Sequence, residues 1–287
     1  MTSPSLIGVF VDGNRTLAWA FDAAGEVVDH SAVTSKSVEC GAHCRAHLEH
    51  ALGEWYRERG RHCLTLISGA IGGDASIFPR IPFSLDSIEQ HVIHSDGVYV
   101  VPPLMQNRPP AYARGIETLL FGIEQSNGLV CAPLAVTAHF VLTSGRVTEF
   151  STEPTPAFLS TLIRDQQESL SDFPAQKFSE SVFVDWVERS LDTENSVSAH
   201  AASAAVRLGQ LNAEFYECAL SAILIGADVA AHYDPGDEIV LLADEPNLEM
   251  YGLALDTLGA EVLEYSAIDC MSDGLWEIAD AAGLLPD

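Results

Sequence analysis

Residues 6–29, LIGVFVDGNRTLAWAFDAAGEVVD, decide the fold predicted for this chain. Apolar and β-branched residues fill positions 6–11 and 16–21, and the turn signal Asp12-Gly13-Asn14 separates them. A second turn signal at positions 22–25 precedes another extended stretch. The pattern therefore predicts a β-hairpin, followed by a third strand that starts near Glu26.

The first turn also has a functional interpretation. An acidic residue at a tight glycine turn between buried strands is where many phosphotransferases hold Mg²⁺ and nucleotide phosphates, because backbone N–H groups there can face an anion. The same residues are an ordinary way to connect two strands of a hairpin. The turn by itself favours a plain hairpin over a phosphate site, because such turns are the default way to connect two strands.

Length and charge limit the kinds of protein this can be. A chain of 287 residues favours two lobes over one core, and we place them at residues 1–127 and 128–287. The 41 acidic and 14 basic residues give a net charge of −27, with only two lysines, Lys36 and Lys177. Such a surface repels phosphate backbones and anionic lipid, so nucleic-acid and membrane partners are disfavoured.

The sequence contains no signal for export or membrane insertion. A basic segment followed by an apolar one is missing at the start, and no apolar run approaches the roughly 18–20 residues that span a bilayer. We therefore expect a soluble cytoplasmic protein. Its oligomeric state stays open, with a homodimer among the options.

The six cysteines are scattered, and we expect no disulfides. One cluster, Cys40, His43, Cys44, His47 and His50, lies within eleven residues. Its three histidines would share one face of a helix, where they could bind a metal. The alternative is a half-exposed helix over 41–59 with an apolar stripe facing the core, and the sequence does not decide between the two.

Two further segments are candidates for ligand contact. A buried strand at 63–67 runs into SGAIGGD, residues 68–74, whose three glycines allow close backbone approach at a strand's carboxyl end. Arg114-Gly115 precedes a helix that starts near Ile116, so Arg114 lies beside exposed N–H groups and could hold a carboxylate or phosphate. Pairing of Arg114 with Glu117 is the competing interpretation.

The remainder of the chain predicts alternating strands and helices. A hairpin over 138–150 is followed by helical segments at 157–169 and 178–191 and by a long helical stretch at 196–233, in which Gly209 and Gly226 mark close packing or boundaries. A strand–helix–strand–helix unit occupies 238–282, with Gly259 closing its first helix. These elements together indicate an α/β protein with mixed sheets.

Several of these segments resemble the 2-keto-3-deoxygalactonokinase family of the actin-like, hexokinase-like sugar kinase superfamily. The opening 11–19 resembles the family's Asp-Trp-Gly-Thr turn and Arg-Ala-Trp strand, 68–73 its Ser-Gly-Met-Ile-Gly-Ser, and 113–118 its Met-Arg-Gly-Glu-Glu-Thr. Segments at 220–226 and 239–259 resemble its C-terminal lobe. The resemblance implies a two-lobed actin-like (ribonuclease H-like) ATPase fold with mixed sheets and a ligand cleft between the lobes.

The chain departs from the family pattern where phosphate would bind. The opening turn is shortened and lacks the tryptophan and the Gly-Thr pair, and 74–77 replaces the family's Arg-Gln-Gly-Trp. The second phosphate motif, Pro-Gly-Thr-His-Ser-Lys, becomes residues 133–138, PLAVTA, and Met-Thr-Gly-Glu becomes 154–157. Leu134, Ala135 and Val136 remove room and donors that a transferring phosphoryl group needs, which favours weak or absent catalysis.

With activity intact, the resemblance implies transfer of a phosphoryl group from ATP·Mg²⁺ to a hydroxyl of a 2-keto-3-deoxy sugar acid. The alternative is a catalytically inactive relative that acts as a small-ligand sensor or partner subunit. The implied roles are as follows: Asp12 for Mg²⁺; Gly13, Asn14 and Thr137 for the nucleotide; Ser68, Gly69, Gly72, Gly73 and Arg114 for the sugar acid; Asp12, Asp74 and Glu117 for catalysis.

Overall fold

The computed structural model describes residues 4–13, 15–34, 44–60, 63–70, 75–169, 174–191 and 199–285. The part of the chain up to Glu153 is mostly strands, helices follow as far as His232, and a strand–helix–strand–helix unit comes last. The strands are β1 Leu6–Asp12, β2 Arg15–Phe21, β3 Val27–Thr34, β4 Leu64–Ser68, β5 Phe83–Ser84, β6 Ile93–Ser95, β7 Val98–Val100, β8 Leu104–Asn107, β9 Pro110–Ala113, β10 Gly128–Pro133, β11 Thr137–Thr143, β12 Arg146–Glu153, β13 Glu238–Leu242 and β14 Glu261–Tyr265. The α-helices are α1 Cys44–Arg59, α2 Thr155–Ser169, α3 Glu180–Leu191, α4 His200–Arg207, α5 Tyr216–His232, α6 Asn247–Leu258 and α7 Ala267–Ala281. The 3₁₀ helices are Ala75–Ile77, Leu85–Gln90, Ile116–Phe121 and Ala213–Phe215.

The opening hairpin forms the centre of the first sheet, whose strand order is β3-β2-β1-β4-β7-β6. β1 and β2 pair antiparallel from Leu6 opposite Phe21 to Asp12 opposite Arg15, and β3 pairs with β2. β4 joins the other side of β1 in parallel. The predicted hairpin and third strand are thus confirmed, because apolar residues continuous along β1 and β2 suit strands that are covered on both faces.

Helix α1 packs its apolar stripe against this sheet. The buried side chains Cys44, Leu48, Leu52 and Tyr56 recur at helical spacing and belong to the core around β1 and β4. The helix is interrupted at Gly53, whose φ of 59° is left-handed. The apolar stripe predicted for this segment is therefore confirmed.

Helix α7 crosses the 3₁₀ helix Ile116–Phe121 at two glycines. A Cβ on Gly274 would lie 2.1 Å from the carbonyl oxygen of Thr118, and one on Gly122 would lie 2.0 Å from that of Cys270. These distances leave no room for a side chain. The two helices therefore approach backbone to backbone.

The second sheet has the strand order β14-β13-β10-β11-β12-β5. β10 pairs in parallel with β13, and β13 with β14. α6 and α7 follow β13 and β14, so the predicted strand–helix–strand–helix unit is confirmed. Gly259, with a φ of 90°, caps α6 as expected.

The chain forms two compact units that are not contiguous in sequence. The first contains Met1–Gly128, Phe140–Thr152 and Ser266–Asp287; the second contains Leu129–His139 and Glu153–Tyr265. The lobes predicted from sequence, 1–127 and 128–287, are contiguous by contrast. The C-terminal segment belongs to the first unit because α7 packs against β1, β4 and the 3₁₀ helix Ile116–Phe121.

Three local features differ from or add to the expectations. The proline-rich stretch before Arg114 contains a hairpin, β8–β9, that was not predicted, and the helical stretch over 196–233 is divided into α4 and α5 at one of the two glycines named as boundaries. The break falls at Gly209, whose φ is 69°, and Asn212 then accepts a hydrogen bond from the backbone N–H of Glu214 to start the next turn. Cys44 is disulfide-bonded, contrary to the expectation of no disulfides.

The helix Ala213–His232 is long and apolar enough, by length and composition alone, to cross a membrane. Most of it is buried inside the protein. Burial of this kind is the ordinary state of a core helix, so the segment is weak support for a membrane span.

We predict that Gly274→Ala lowers the free energy of unfolding by about 1–3 kcal/mol or more, because the added methyl group collides with backbone. Gly252→Ala is the matched control: it also lies inside a helix, α6, and its Cβ would meet only the flexible Glu264 side chain, at 3.2 Å. The control should be neutral or stabilising by up to about 1 kcal/mol. Urea unfolding followed by tryptophan fluorescence measures both, and equal effects would contradict the assigned contact.

Candidate functional site

Three of the predicted segments meet at one edge of the first sheet. β1 and β4 are parallel, with Phe10 opposite Ser68, so both strands end on the same side. Asp12 ends β1, Ser68 ends β4, and the segment around Gly115 packs on both. This is the edge of a parallel pair at which α/β proteins bind ligands.

Two glycines make this contact possible. Gly69 has a φ of 79°, and a Cβ there would lie 2.2 Å from the carbonyl oxygen of Val11. Gly115 has a φ of 87°, and its Cβ would lie 2.7 Å from the Cα of Gly69. Since neither position can carry a side chain, the three backbones lie directly against one another.

Ser68 joins the same contact through its hydroxyl group. Its Oγ lies 2.6 Å from Oγ1 of Thr118 and 3.3 Å from the carbonyl oxygen of Gly115. Ser68 and Thr118 are fully buried. The Ser68 hydroxyl therefore holds the 3₁₀ helix Ile116–Phe121 onto the end of β4.

Glu117 is the chemically distinctive residue of this edge. Its side chain is buried, and Oε1 accepts a hydrogen bond of 3.0 Å from the backbone N–H of Gly115. Oε2 is also buried and has no hydrogen-bond partner within the described ranges. A buried polar atom without a partner is costly, and a catalytic role is one physical reason for keeping it.

The environment of Glu117 changes its acidity. Burial raises the pKa of this carboxyl to about 8, and the backbone hydrogen bonds and the charge of Arg114 only partly oppose it. The group is therefore mainly protonated at neutral pH and ionised in mild alkali. Arg114, the residue before Gly115, is half-buried.

The described part of the opening turn consists of Asp12 and Gly13. Oδ2 of Asp12 lies 3.9 Å from Nη2 of Arg15, and the Asp12 side chain is 12% exposed. Gly13 has a φ of 58°. The remaining predicted site residues of this unit, Asn14, Gly72, Gly73 and Asp74, lie outside the described residues.

Thr137 lies in the second compact unit, at the start of β11. Its side chain is fully buried, and Oγ1 lies 2.6 Å from the hydroxyl oxygen of Tyr251. The hydroxyl group expected to contact nucleotide is thus taken up by the protein interior.

The predicted cluster near the start of α1 does not assemble as a set of ligands in the described residues. His47 and His50 are exposed, Cys44 is buried and disulfide-bonded, and Cys40 and His43 lie outside the described ranges.

The sequence analysis missed a buried group in the second unit: His139, Asp228 and His232. Nε2 of His139 lies 3.0 Å from Oδ1 of Asp228, and the two imidazole rings stack at 3.7 Å with an interplanar angle of 6°. Their ligand atoms lie close enough to share an ion. Nitrogen lone pairs lie in the ring plane, however, so nearly parallel rings cannot both point at one metal.

The feature of the sequence that could have revealed this buried group is Asp228. It is an acidic residue inside the apolar stretch of α5, and a charged residue in a buried position is usually paired. Burial lowers the pKa of His139. Burial alone would raise the pKa of Asp228, but hydrogen bonds from His139 and Tyr251 hold it below its usual range.

Comparison with known proteins gives a family match. The model of the 2-keto-3-deoxy-galactonokinase family matches residues 13–278. No curated protein sequence matches the chain significantly.

Solved structures give the fold. A candidate 2-dehydro-3-deoxygalactonokinase from Sinorhizobium meliloti is 22% identical with a TM-score of 0.81, and the match covers 96% of this chain and 98% of that one. Component A of (R)-2-hydroxyglutaryl-CoA dehydratase from Acidaminococcus fermentans is 12% identical (TM-score 0.49, 96% and 98% covered). A ROK family glucokinase from Streptomyces griseus with glucose and AMPPNP is 13% identical (TM-score 0.38, 94% and 97% covered). The first of these, with the family match, confirms the predicted α/β fold with mixed sheets.

We predict that Glu117→Gln changes how stability depends on pH. The folded protein keeps a proton on Glu117 up to a pH of about 8, whereas the unfolded chain loses it near its ordinary pKa of about 4.3. Glu117 therefore makes the free energy of unfolding fall as pH rises between these two values.

A glutamine cannot ionise, so the advantage of the variant over the parent should grow with pH and level off above about 8, at a few kcal/mol. Urea unfolding at pH 5, 7 and 9 measures this difference. Glu124→Gln, at an exposed position nearby, is the control and should show no such trend. A constant difference across the three pH values would contradict the buried, protonated carboxyl.

Proposed function

The chain belongs to the 2-keto-3-deoxy-galactonokinase family, and on that premise we propose that it is a sugar-acid kinase. In this proposal it transfers a phosphoryl group from ATP·Mg²⁺ to a hydroxyl of 2-keto-3-deoxygalactonate. The observation that carries the proposal is the buried Glu117, with one oxygen lacking a partner in the described structure, at the edge where β1 and β4 end.

Glu117 has the properties of the general base in this reaction. Its carboxylate would accept the proton of the sugar hydroxyl while the hydroxyl oxygen bonds to the γ-phosphorus and the bond from that phosphorus to ADP breaks. Since Oε1 is held by the N–H of Gly115, proton acceptance would fall to Oε2, which is buried in the structure and has to be uncovered for a substrate to reach it. Asp74 is the other predicted base.

Arg114 would pair with the carboxylate of the sugar acid. It precedes the 3₁₀ helix that carries Glu117, so charge recognition and proton transfer would come from one short segment. A guanidinium group suits a carboxylate because it donates two parallel hydrogen bonds. Close approach of the substrate to the backbone would fall to the predicted Gly72 and Gly73, because Gly69 is packed against Val11 and Gly115.

Asp12 fits the metal-binding role implied by the family. A single carboxylate at the end of a strand, mostly shielded from solvent, suits Mg²⁺, which keeps several waters and binds phosphate oxygens. The ion would supply neutralisation of charge on the transferring phosphate. Asp12 would orient it, and the backbone of Gly13 would leave room for the phosphates beside it.

A second function is favoured by one specific observation, the composition and contacts of residues 133–138. Leu134, Ala135 and Val136 offer no side-chain donors, and the Thr137 hydroxyl is bonded to Tyr251. Loss of one donor to a developing negative charge typically costs a hundredfold or more in rate. A catalytically inactive sensor of a small ligand, or a partner subunit, is therefore the alternative.

The remaining expectations stay proposals. With a net charge of −27, the protein is expected to bind neither nucleic acid nor anionic membrane, and to work in the cytoplasm on a small anionic sugar acid, as a monomer or homodimer.

Calorimetric titration with ATP·Mg²⁺, alone and with 2-keto-3-deoxygalactonate, tests the proposal. We expect micromolar nucleotide binding in the parent and at least tenfold weaker binding in Asp12→Ala, because the variant lacks the carboxylate that orients Mg²⁺. Glu26→Ala, on the exposed side of the second turn, is the control and should bind as the parent does. No nucleotide binding at millimolar concentration would overturn the kinase mechanism and leave the sensor or partner role.

The pH profile of turnover tests the base. Because Glu117 must be ionised to accept a proton, kcat/KM should rise with pH and level off near its pKa of about 8. Glu117→Gln should lose about a hundredfold or more in kcat and lose this rise. A variant with normal kcat would assign the base elsewhere, with Asp74 the next candidate.

A further inference from the structure

Helix α6 contacts both ends of the connection between β10 and β11. Nδ2 of Asn247 donates a 2.7 Å hydrogen bond to the carbonyl oxygen of Pro133, which ends β10. The hydroxyl group of Tyr251 lies 2.6 Å from Oγ1 of Thr137, which starts β11. Asn247 and Tyr251 are four residues apart, so they lie on one face of the helix.

Tyr251 is in turn fixed by buried charge. Its hydroxyl donates a 2.9 Å hydrogen bond to Oδ2 of Asp228, so the bond with Thr137 must be one that the threonine donates. Oδ1 of Asp228 pairs with Nε2 of His139, two residues along β11 from Thr137. The contacts thus form a closed ring that starts and ends on β11.

The protonation states in this ring follow from its partners. Asp228, with its lowered pKa, is ionised and accepts from both Tyr251 and His139. His139, with its lowered pKa, is neutral and carries its proton on Nε2, so Nδ1 accepts from the Tyr233 hydroxyl at 2.8 Å. The ring of His232 stacks on one face of the His139 ring. Each member is satisfied only while the others keep their places.

The connection that α6 contacts at both ends, residues 134–136, follows the carboxyl end of β10. β10 is parallel to β13, and ligands of α/β proteins bind beyond the carboxyl ends of parallel strands. The side chains of Leu134, Ala135 and Val136 cannot hydrogen-bond, so only the backbone of this turn can contact an anion there. The shape of the backbone is then the property that matters.

We propose that Tyr251 and Asn247 are positioning residues that hold the β10–β11 turn in the shape with which it contacts a nucleotide phosphate. The ring through Asp228 and His139 keeps Tyr251 in place. We call the two contacts of α6, Asn247 with Pro133 and Tyr251 with Thr137, the clamp. The clamp is inferred from the geometry of the second unit alone. Its nucleotide ligand rests on the proposed function.

Tyr251→Phe tests the clamp because it keeps the aromatic ring and removes only the hydroxyl group. Tyr56→Phe is the matched control: Tyr56 is equally buried, and its hydroxyl lies 2.9 Å from Oγ1 of Thr65 in the first unit. We expect hydrogen exchange of peptides covering 133–137 to become roughly tenfold or more faster in Tyr251→Phe, as expected for losing a buried hydrogen bond. The control should leave those peptides unchanged.

Acceleration spread evenly over the second unit, or no acceleration, would overturn the clamp. Thr137→Val removes the other partner of the same hydrogen bond. This variant replaces Tyr251→Phe in the test if Tyr251→Phe does not fold. It should give the same local acceleration, and the double variant should add little to either single one.

The nucleotide role is tested separately by titrating the parent, Tyr251→Phe and Tyr56→Phe proteins with ATP·Mg²⁺. We expect about fivefold or weaker affinity in Tyr251→Phe and parent affinity in Tyr56→Phe. Equal affinity in all three would overturn the link between the clamp and nucleotide. If the parent binds no ATP, the proposed function and the nucleotide role fail together, while the exchange data still decide whether the clamp exists.

Discussion

The contact of three backbones at the edge of the first sheet sets the arrangement of the first unit. Gly69 lies against the carbonyl oxygen of Val11, and Gly115 lies against Gly69. No side chain fits between them, so the ends of β1 and β4 and the start of the 3₁₀ helix are held at backbone distance. This contact buries Glu117, because the N–H of Gly115 and the carboxyl of Glu117 then face each other.

Two buried carboxyl groups, those of Glu117 and Asp228, have pKa values shifted in opposite directions. Glu117 has one hydrogen bond to Oε1 and none within the described residues to Oε2, and its pKa rises to about 8. Asp228 receives hydrogen bonds on both oxygens, from His139 and Tyr251, and its pKa falls. Side-chain donors on both oxygens hold the pKa of Asp228 down, whereas at Glu117 the backbone donors and the charge of Arg114 only partly offset the effect of burial. A carboxyl with a spare oxygen suits proton exchange with a ligand, whereas a fully satisfied one suits a structural network.

Local patterns predicted the elements well and their boundaries less well. Continuous apolar runs and turn residues gave the β1–β2 hairpin, and the position of Gly259 gave the end of α6. The β8–β9 hairpin was missed because prolines hide a strand pattern, whereas Gly209 was named as a position of close packing or a boundary, and the break between α4 and α5 lies there. Local patterns could not show that the first compact unit includes the C-terminal segment, since this depends on α7 packing against β1.

The sequence by itself determined most of the secondary-structure order, the family and the identity of the segments that meet at the site edge. These properties depend on residues within a few positions of one another: an apolar run, a glycine turn, the Arg114-Gly115 pair. Only the tertiary structure decided the burial of Glu117 and the ring that joins Thr137, Tyr251, Asp228 and His139. Thr137 and Tyr251 are 114 positions apart in the chain. Burial and hydrogen bonding over such separations depend on how the elements pack, which no local pattern specifies.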